Sequence, residues 1–290
     1  MRNANYSAAY DGYLAEFNAY ADEIFNKLPE NTLTNAMKYS FFAGGKRVRP
    51  VIMIASAEKL GGDVKKILPF AFALECIHTY SLVHDDLPAI DNDVLRRGKP
   101  TCHIAYDEAT AVLAGDGLLN FAFEHLLGNV TTDRDIKAAK TIAEYAGYGG
   151  MLGGQAADVE HEKRKDCGID ELNDIYDKKT GKFLTLPFLI PSILFAPEKI
   201  DNAKECGKTF GRLFQYCDDL LDVLSSSEKA GKNCGKDARD EKCTSVGILG
   251  VDGVRTIIIE LQKRLYLQST DLINEALLKS FVDRFADEVL

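Results

Sequence analysis

The chain has 290 residues, a formal net charge of −9 and seven cysteines. The negative charge argues against nucleic acid as a partner. The odd number of scattered cysteines, with no C-x-x-C pair, argues against a zinc site or a disulfide framework, and reduced thiols predict a cytoplasmic protein. The N-terminus has no long apolar core, so we expect no signal peptide. The most apolar run, 183–196, is too short and too rich in proline for stable membrane insertion.

The first part of the chain shows helical periodicity. Apolar residues spaced at i, i+3 and i+4 predict helices over residues 10–28 and 33–42, and the second ends at Gly44-Gly45. A basic run follows, from Lys46 to Arg49. This run is either a charged helix junction or a phosphate site, in which planar arginine and point-charge lysine meet an anion near backbone freed by glycine.

Predicted helices over residues 51–60 and 66–83 lead into an acidic stretch that contains Asp85, Asp86 and Asp91. Pro88 disfavours helix at the preceding residue, so the helix should end near Asp86. Such carboxylates are either solvated or hold a hard divalent cation such as magnesium, which takes oxygen ligands and is shared with substrate phosphates. His78 lies two helical turns before Asp85 and can share its face. One E-x-x-H match there, without a second copy, argues against a di-iron bundle.

The remaining segments also read as helices, predicted over residues 110–127, 136–146, 257–273 and 276–289. No segment alternates with period two for long, so strands are not expected. Glycines 149–154 suggest close helix packing, and Gln155 and Asp158 could line a cavity. Asp218 and Asp222 share one helix face, where like charges are destabilising unless a cation compensates them. The two acidic clusters could therefore face each other, and the polar loop 225–242 suits a lid.

These motifs, taken together, resemble the trans-isoprenyl diphosphate synthases, or polyprenyl synthetases. The resemblance covers about residues 36–246 and preserves the family's motif order. It rests on the two acidic motifs, Gly44-Gly45-Lys46-Arg47-Val48-Arg49-Pro50, the run 77–84, Leu95-Arg96-Arg97-Gly98 and Lys179-Thr180-Gly181. It implies an all-α, single-domain antiparallel helix bundle around a deep central cavity, with one domain over residues 1–290, that forms a homodimer. It also implies condensation of isopentenyl diphosphate with an allylic diphosphate after magnesium-dependent ionisation.

The resemblance assigns the acidic motifs to metal binding. About three Mg²⁺ ions per site, which Mn²⁺ can replace, would neutralise the leaving diphosphate. The implied ligands are Asp85, Asp86, Asp91, Asp218 and Asp222. Asp219 is expected to lie outside this ligand shell.

The resemblance also implies two diphosphate subsites. The allylic diphosphate would be bound by Arg96, Lys179, Thr180, Gln215, Asp218, Lys232 and Lys242. Isopentenyl diphosphate would be bound without metal by Lys46, Arg49, His78 and Arg97. The groups implied to be catalytic are Arg96, Lys179, Thr180 and Gln215. The Lys179 backbone, Thr180 hydroxyl and Gln215 amide would place partial negative charge near the allylic cation, and the released diphosphate would accept the proton. Phe214 would pack by the second substrate.

Product length should depend on the floor of the cavity. Tyr80 lies five residues before Asp85, roughly 7 Å down the helix at about 1.5 Å per residue, where a bulky ring would block a growing prenyl tail. Tyr80 and Ser81 resemble the corresponding residues of bacterial farnesyl diphosphate synthases, which predicts the fifteen-carbon farnesyl product. The alternatives are the twenty-carbon geranylgeranyl and ten-carbon geranyl products.

Two departures from the family pattern concern packing. The run Cys243-Thr244-Ser245-Val246 stands where an aromatic residue and a proline are common, and Gly117 stands where alanine is commoner. No ligand position is lost.

Two other protein classes share parts of this pattern. A terpene cyclase or a head-to-head condensing enzyme would also ionise a diphosphate, but it would not require Lys46, Arg49 and His78. A noncatalytic partner subunit or plain helical scaffold would not need two intact acidic motifs. The complete set therefore favours a chain-elongating prenyltransferase.

Overall fold

The computed structural model describes residues 8–161, 168–230 and 244–290, and it describes side chains everywhere in these ranges except 225–230. The described chain is mostly helical, which confirms the all-α prediction. The helices are α1 (Ala8–Phe25), α2 (Thr32–Phe41), α3 (Val48–Lys59), α4 (Val64–Asp85), α5 (Cys102–Ala105), α6 (Glu108–Leu127), α7 (Asp133–Ala146), α8 (Met151–His161), α9 (Ile169–Tyr176), α10 (Lys182–Phe195), α11 (Ile200–Ala230), α12 (Ser245–Ser269) and α13 (Glu275–Ala286).

Short polar residues fix where several helices begin. Asn31 caps α2 by a capping box with Thr34, in which each side chain accepts a hydrogen bond from the other residue's backbone N–H. Thr132 and Asp135 form the same arrangement at α7. These caps satisfy N–H groups that the first helical turn leaves without partners.

Helix α10 lies between two hydrophobic clusters. Phe183, Leu186 and Ile190 pack into a cluster with α1, α2, α4, α6 and α7. Leu184 and Phe188 pack into a second cluster with α3, α9, α11, α12 and α13. Every residue from 183 to 194 is buried, because the helix is covered on all sides.

One described helix, α4, is long and apolar enough to cross a membrane by length and composition alone. Buried residues make up 78% of its most apolar window. The apolar composition of α4 is therefore explained by its place in the protein core, where residues from Ile67 to Val83 pack against neighbouring helices.

The structure differs from the predicted elements in three places. Helix α11 continues to Ala230, into the loop predicted over residues 225–242. Leu95–Arg96 and Lys99–Pro100 form a two-residue antiparallel hairpin, although no strands were expected. Its turn has positive φ at both Arg97 and Gly98, the geometry of a type I′ turn. Two-residue strands are too short to show a period of two. In addition, α12 begins at Ser245, well before the predicted start, and bends at Gly250, whose φ is 70°.

Candidate active site

A π-helical turn, Asp177–Gly181, joins α9 to α10 and carries two of the predicted catalytic residues. Helices pack closely against it on two sides, because a Cβ added at Gly154 would overlap the Lys179 backbone and one added at Gly211 would overlap the Gly181 backbone. Such π turns are frequent at functional sites. The glycine repeat predicted to mark close packing therefore fixes the segment that presents Lys179 and Thr180.

Ion pairs hold the same turn. The Arg212 guanidinium donates from Nε to Asp177 Oδ1 at 2.6 Å and from a terminal nitrogen to Asp177 Oδ2 at 2.7 Å. Lys179 Nζ lies 2.5 Å from Oδ2 of Asp158 on α8. Asp158 was predicted only as a possible cavity-lining residue, three positions after Gln155, and no role in binding was assigned to it. The Asp177–Arg212 pair was not among the predicted site residues.

The Lys179 ammonium acts on both acidic motifs. Burial raises the pKa of Asp85 to about 6, and the Lys179 ammonium opposes that rise. Water reaches the Asp218 side chain, but the protein around it still disfavours its charge, and Asp222 adds repulsion, so its pKa is also raised to about 6. Lys179 again opposes the rise. One ammonium thus acts on a carboxylate of each motif, as expected if the motifs face each other.

The first motif folds back on itself at the end of α4. The backbone N–H of Asp91 donates to the Asp85 carbonyl at 2.9 Å, and the Asp91 charge contributes to the raised pKa of Asp85. Helix α4 ends at Asp85, as Pro88 predicts. Asp85 and Asp91 are therefore both held near the C-terminal end of α4.

Asp86 differs from Asp85 in being paired. Arg96 Nε donates to Asp86 Oδ1 at 2.6 Å, and Arg96 also lies 3.2 Å from Asp93 Oδ2. The Asp86 side chain is only 5% exposed. Arg96 was predicted to bind the allylic diphosphate and Asp86 to bind metal, and in this structure each engages the other.

No group of three or more acidic, histidine or cysteine side chains within 8–161, 168–230 and 244–290 is arranged to hold a metal ion unaided. The donor set nevertheless fits magnesium, because its carboxylates are hard oxygen ligands, and a cation would lower the raised pKa values of Asp85 and Asp218. Mg²⁺ is commonly bound by one or two carboxylates together with substrate phosphates. Asp85, Asp91, Asp218 and Asp222 are the residues that would hold it, whereas Asp86, which was also predicted as a ligand, is engaged by Arg96 in this structure.

A cationic cluster surrounds His78. Burial first, and then the charges of Arg49, Arg97, Arg47 and Arg96, hold the pKa of His78 well below its usual range, so its imidazole is neutral at pH 7. Burial also lowers the pKa of Arg49 to about 10. Arg49 Nε is buried and has no hydrogen-bond partner in the described part of the protein. A buried donor without a partner among clustered arginines is suited to an anion.

The loop that carries the predicted basic run contacts the hairpin through the backbone of Gly44 and Gly45. Arg97 donates to the carbonyl of Gly44, and a Cβ at Gly45 would overlap the Arg97 guanidinium. Both glycines have positive φ, 104° and 119°. Lys46 lies in the same loop, and burial together with Arg284 of α13 lowers its pKa. Lys46, Arg49, His78 and Arg97 are therefore assembled as one region.

Arg47 has a separate role in this region. Its guanidinium lies 2.6 Å from Glu75 Oε1, with side-chain exposures of 5% and 3%, and it stacks on the Phe41 ring at 4.6 Å. Removing either partner would leave an uncompensated buried charge. Glu75 pairs with Arg47, and its charge also acts on Arg49 and Arg97, so a single carboxylate faces three arginines and the region keeps an excess of positive charge.

The predicted floor residues lie on α4. Tyr80 is 3% exposed, and its hydroxyl has no hydrogen-bond partner in the described ranges. Its ring meets the His84 ring edge-on, with centroids 5.8 Å apart. Ser81 donates to the His78 carbonyl at 3.0 Å.

The other predicted residues are placed as follows. Thr180 Oγ1 donates to Gln215 Oε1 at 3.1 Å. Phe214 packs edge-on against Phe285 of α13, with ring centroids 5.7 Å apart. Lys232 and Lys242 lie outside the described residues, as does most of the loop predicted as a lid.

The fold and the site define a class of protein. A helical bundle that places acidic side chains around a shared lysine, beside a neutral histidine among arginines, is suited to an enzyme that handles diphosphate esters. The family model for polyprenyl synthetase matches residues 30–273. The chain belongs to the polyprenyl synthetase family and is a trans-prenyltransferase.

Characterised relatives include synthases named for two product lengths. The chain is 41% identical over 249 residues to the geranylgeranyl diphosphate synthase of Cyanophora paradoxa, covering 83% of each chain. It is 40% identical over 262 residues to the farnesyl diphosphate synthase of Bacillus subtilis, covering 84% of this chain and 88% of that one. Identity alone therefore does not separate the two products.

Solved structures share the fold along nearly the whole chain. A geranyltransferase from Legionella pneumophila superimposes with a TM-score of 0.84 at 28% identity, covering 96% of this chain and 95% of that chain. The geranyltranstransferase of Thermotoga maritima gives a TM-score of 0.82 at 31% identity, covering 97% and 98%.

Proposed function

We propose that this prenyltransferase condenses isopentenyl diphosphate with dimethylallyl and geranyl diphosphate and that its main product is farnesyl diphosphate. The observation that carries the proposal is the place of Lys179, which acts on Asp85 and Asp218 at once. One diphosphate between the motifs would meet that lysine. A second diphosphate would meet the cluster around His78.

The residues at the allylic subsite bind and orient the leaving diphosphate. Lys179 would neutralise part of its charge, and Arg96 would join it by exchanging its pair with Asp86 for phosphate oxygens. Magnesium held by Asp85, Asp91, Asp218 and Asp222 supplies the remaining charge stabilisation when it is bound. Lys232 and Lys242 belong to the same subsite in this proposal.

The residues at the second subsite bind isopentenyl diphosphate without metal. Arg49 brings a donor without a partner, and Arg97 and Lys46 bring further charge from the hairpin and the glycine loop. His78 is neutral and can donate one hydrogen bond without adding to the charge. The allylic carbon–oxygen bond breaks first and gives the allylic cation and diphosphate. The double bond of the acceptor then attacks that cation, and a proton is lost to the released diphosphate.

The fifteen-carbon product is supported by Tyr80. Its buried ring on α4, about one and a half turns from Asp85, would stop the tail at that depth. The geranylgeranyl product is the alternative, because relatives with that name are equally similar.

The finer features of the enzyme are also proposals. Each site would bind about three Mg²⁺ ions, which Mn²⁺ can replace. The protein would be a homodimer in the cytoplasm without stable membrane insertion, and residues 1–290 would form one domain.

The homodimer is supported by apolar side chains exposed on α5, α6 and α7, which association would cover. They are Ile104, Leu113, Leu127 and Ile136.

A product assay tests the function. Purified protein receives Mg²⁺ and isopentenyl diphosphate with either dimethylallyl or geranyl diphosphate, and the products are resolved by chromatography after removal of phosphate. A dominant fifteen-carbon product supports the proposal. A twenty-carbon product keeps the mechanism and rejects Tyr80 as the floor. Failure to condense either starter rejects the synthase assignment in favour of a cyclase or a partner subunit.

A further inference from the structure

Asp219, the middle carboxylate of the second motif, accepts four hydrogen bonds. Its Oδ2 accepts from the Ser245 N–H at 2.9 Å, from the Ser245 hydroxyl at 2.7 Å and from the Tyr176 hydroxyl. Its Oδ1 accepts from Gln215 Nε2 at 3.2 Å. Neither neighbour in the motif, Asp218 or Asp222, has a comparable set among the hydrogen bonds of the described residues.

The carboxylate fixes the orientation of the Gln215 amide. An ionised carboxylate only accepts hydrogen bonds, so the amide nitrogen must face Asp219 and the amide oxygen must face away. That oxygen accepts from the Thr180 hydroxyl at 3.1 Å. The Thr180 hydroxyl hydrogen is therefore already used in a hydrogen bond. The Thr180 oxygen can only accept a hydrogen bond from any further group beside Lys179, or present its partial negative charge to that group.

Ser245 belongs to the run that departs from the family pattern. It is fully buried, it begins α12, and both of its polar groups donate to Asp219. An alanine at this position could not supply the hydroxyl donor. The departure after Lys242 therefore provides a contact to the second acidic motif that the sequence pattern did not predict.

We propose that Asp219 is a positioning residue and not a metal ligand: held by Ser245 and Tyr176, it orients Gln215 so that the Thr180 oxygen presents its lone pairs to the allylic cation. This inference rests on the proposed function for the nature of that cation. This role of Asp219 differs from metal binding because Asp219 acts through a chain of hydrogen bonds, or relay, from Thr180 to Gln215 and from Gln215 to Asp219. The direction of that relay depends on the Asp219 carboxylate being a hydrogen-bond acceptor.

The isosteric variant Asp219→Asn tests the direction of the relay. Its carbonyl oxygen would face the donors from Ser245 and Tyr176, which places its NH₂ group against Gln215. Gln215 must then turn its own oxygen toward residue 219 and its NH₂ group toward Thr180. The Thr180 hydrogen is released, and it can point a positive dipole at the cation. The variant therefore reverses the relay while keeping shape and volume.

The kinetic experiment is a double-mutant cycle on purified enzyme with geranyl diphosphate, isopentenyl diphosphate and saturating Mg²⁺. We expect Asp219→Asn to lower kcat about 10- to 100-fold with KM values changed less than about twofold. In a Thr180→Val background, which lacks the hydroxyl, the same change should cost less than about twofold. Equal losses in both backgrounds would overturn the relay.

A binding experiment separates positioning from metal ligation without turnover. Titration calorimetry would measure the binding of inorganic diphosphate with Mg²⁺ to the wild type, Asp219→Asn and Asp218→Asn. We expect Asp219→Asn to bind within about threefold of the wild type, and Asp218→Asn to bind at least about tenfold more weakly. If both variants lose the same affinity, Asp219 is a metal ligand and the inference is wrong.

Two variants with smaller expected effects on kcat test the hydroxyl groups that donate to Asp219. Ser245→Ala and Tyr176→Phe each remove one hydroxyl donor, and each should lower kcat about three- to tenfold in the same direction. No change in kcat for either variant contradicts their role. A wild type without condensation activity would reject the proposed function, whereas the calorimetric comparison would still decide whether Asp219 binds metal.

Discussion

Lys179 Nζ lies 2.5 Å from Oδ2 of Asp158, and the Asp158 side chain is 15% exposed. This pair links α8 to the π-helical turn and sets the direction of the only lysine that acts on both Asp85 and Asp218 in the described residues. Lysine side chains have large rotamer entropy, so an ion pair that restricts one also decides which group it can reach.

We expect Asp158→Asn to lower kcat/KM for the allylic diphosphate about tenfold, because Lys179 then loses the charge that holds it in place. Steady-state kinetics at saturating isopentenyl diphosphate would measure the change. The matched control is Asp174→Asn, because Asp174 pairs with Lys178 at 2.6 Å on the exposed surface nearby. Equal effects of the two substitutions would show that Asp158 has no specific role.

Tyr80→Ala should lengthen the product from fifteen to twenty carbons, because it removes the buried ring on α4 that would meet the end of the tail. Chromatography of the dephosphorylated products would measure the distribution. Tyr80→Phe is the control: it keeps the ring and removes a hydroxyl without a partner in the described ranges, so the product should not change. A farnesyl product from the alanine variant would place the floor elsewhere.

Gly115→Ala should destabilise the protein by about 1–3 kcal/mol, because the added Cβ would overlap the His84 imidazole where α4 meets α6. His84 is held there by a contact of 3.1 Å to the Val112 carbonyl, and displacing it would also press on Tyr80. Thermal denaturation would measure the loss. Gly12→Ala on α1 meets nothing within 4 Å and should be neutral or stabilising. A neutral Gly115→Ala would mean that His84 can move without cost.

Asp85 and Asp218 should each add to the stability of the metal-free protein as the pH falls from about 7 to about 4, whereas the neutral His78 acts in the opposite direction. Burial raises the pKa of Asp85 from 3.8 to about 6, and the protein around the water-accessible Asp218 raises its pKa to about 6 as well, so these two groups bind more protons in the folded than in the unfolded state in this window. Asp85→Asn should therefore stabilise the metal-free protein at pH 8, by about 1–2 kcal/mol after allowance for solvent screening. Its advantage should shrink as the pH is lowered.

Melting temperatures in a chelator at several pH values would measure this effect. The exposed Asp174→Asn is again the control, and it should follow the wild type. With Mg²⁺ and inorganic diphosphate present, the order should reverse, because the wild-type carboxylates would then stabilise bound cations. A wild type that remains more stable than Asp85→Asn at pH 8 without metal would contradict the raised pKa.

Local signals in the sequence were sufficient for the helical character of the chain and for the approximate bounds of several long helices. Pro88 placed the end of α4 correctly, and the glycine pair after α2 marked the loop that carries Lys46. The hairpin at Arg96 and Arg97 was missed, since a two-residue strand has no detectable periodicity. The early start of α12 was missed as well, because the run after Lys242 lacks a strong apolar pattern.

The sequence by itself determined the residue types of the site, because spacing and chemistry along one helix are local properties. It could not show that Lys179 acts on both acidic motifs, that Arg96 pairs with Asp86, or that Glu75 compensates Arg47. Each of these depends on contacts between helices far apart in the chain, and so on how α4, α8, α10 and α11 pack. Asp218 and Asp219 show the difference most directly. They are adjacent carboxylates in one motif, and only the position of Ser245 and Tyr176 in the folded protein distinguishes their surroundings.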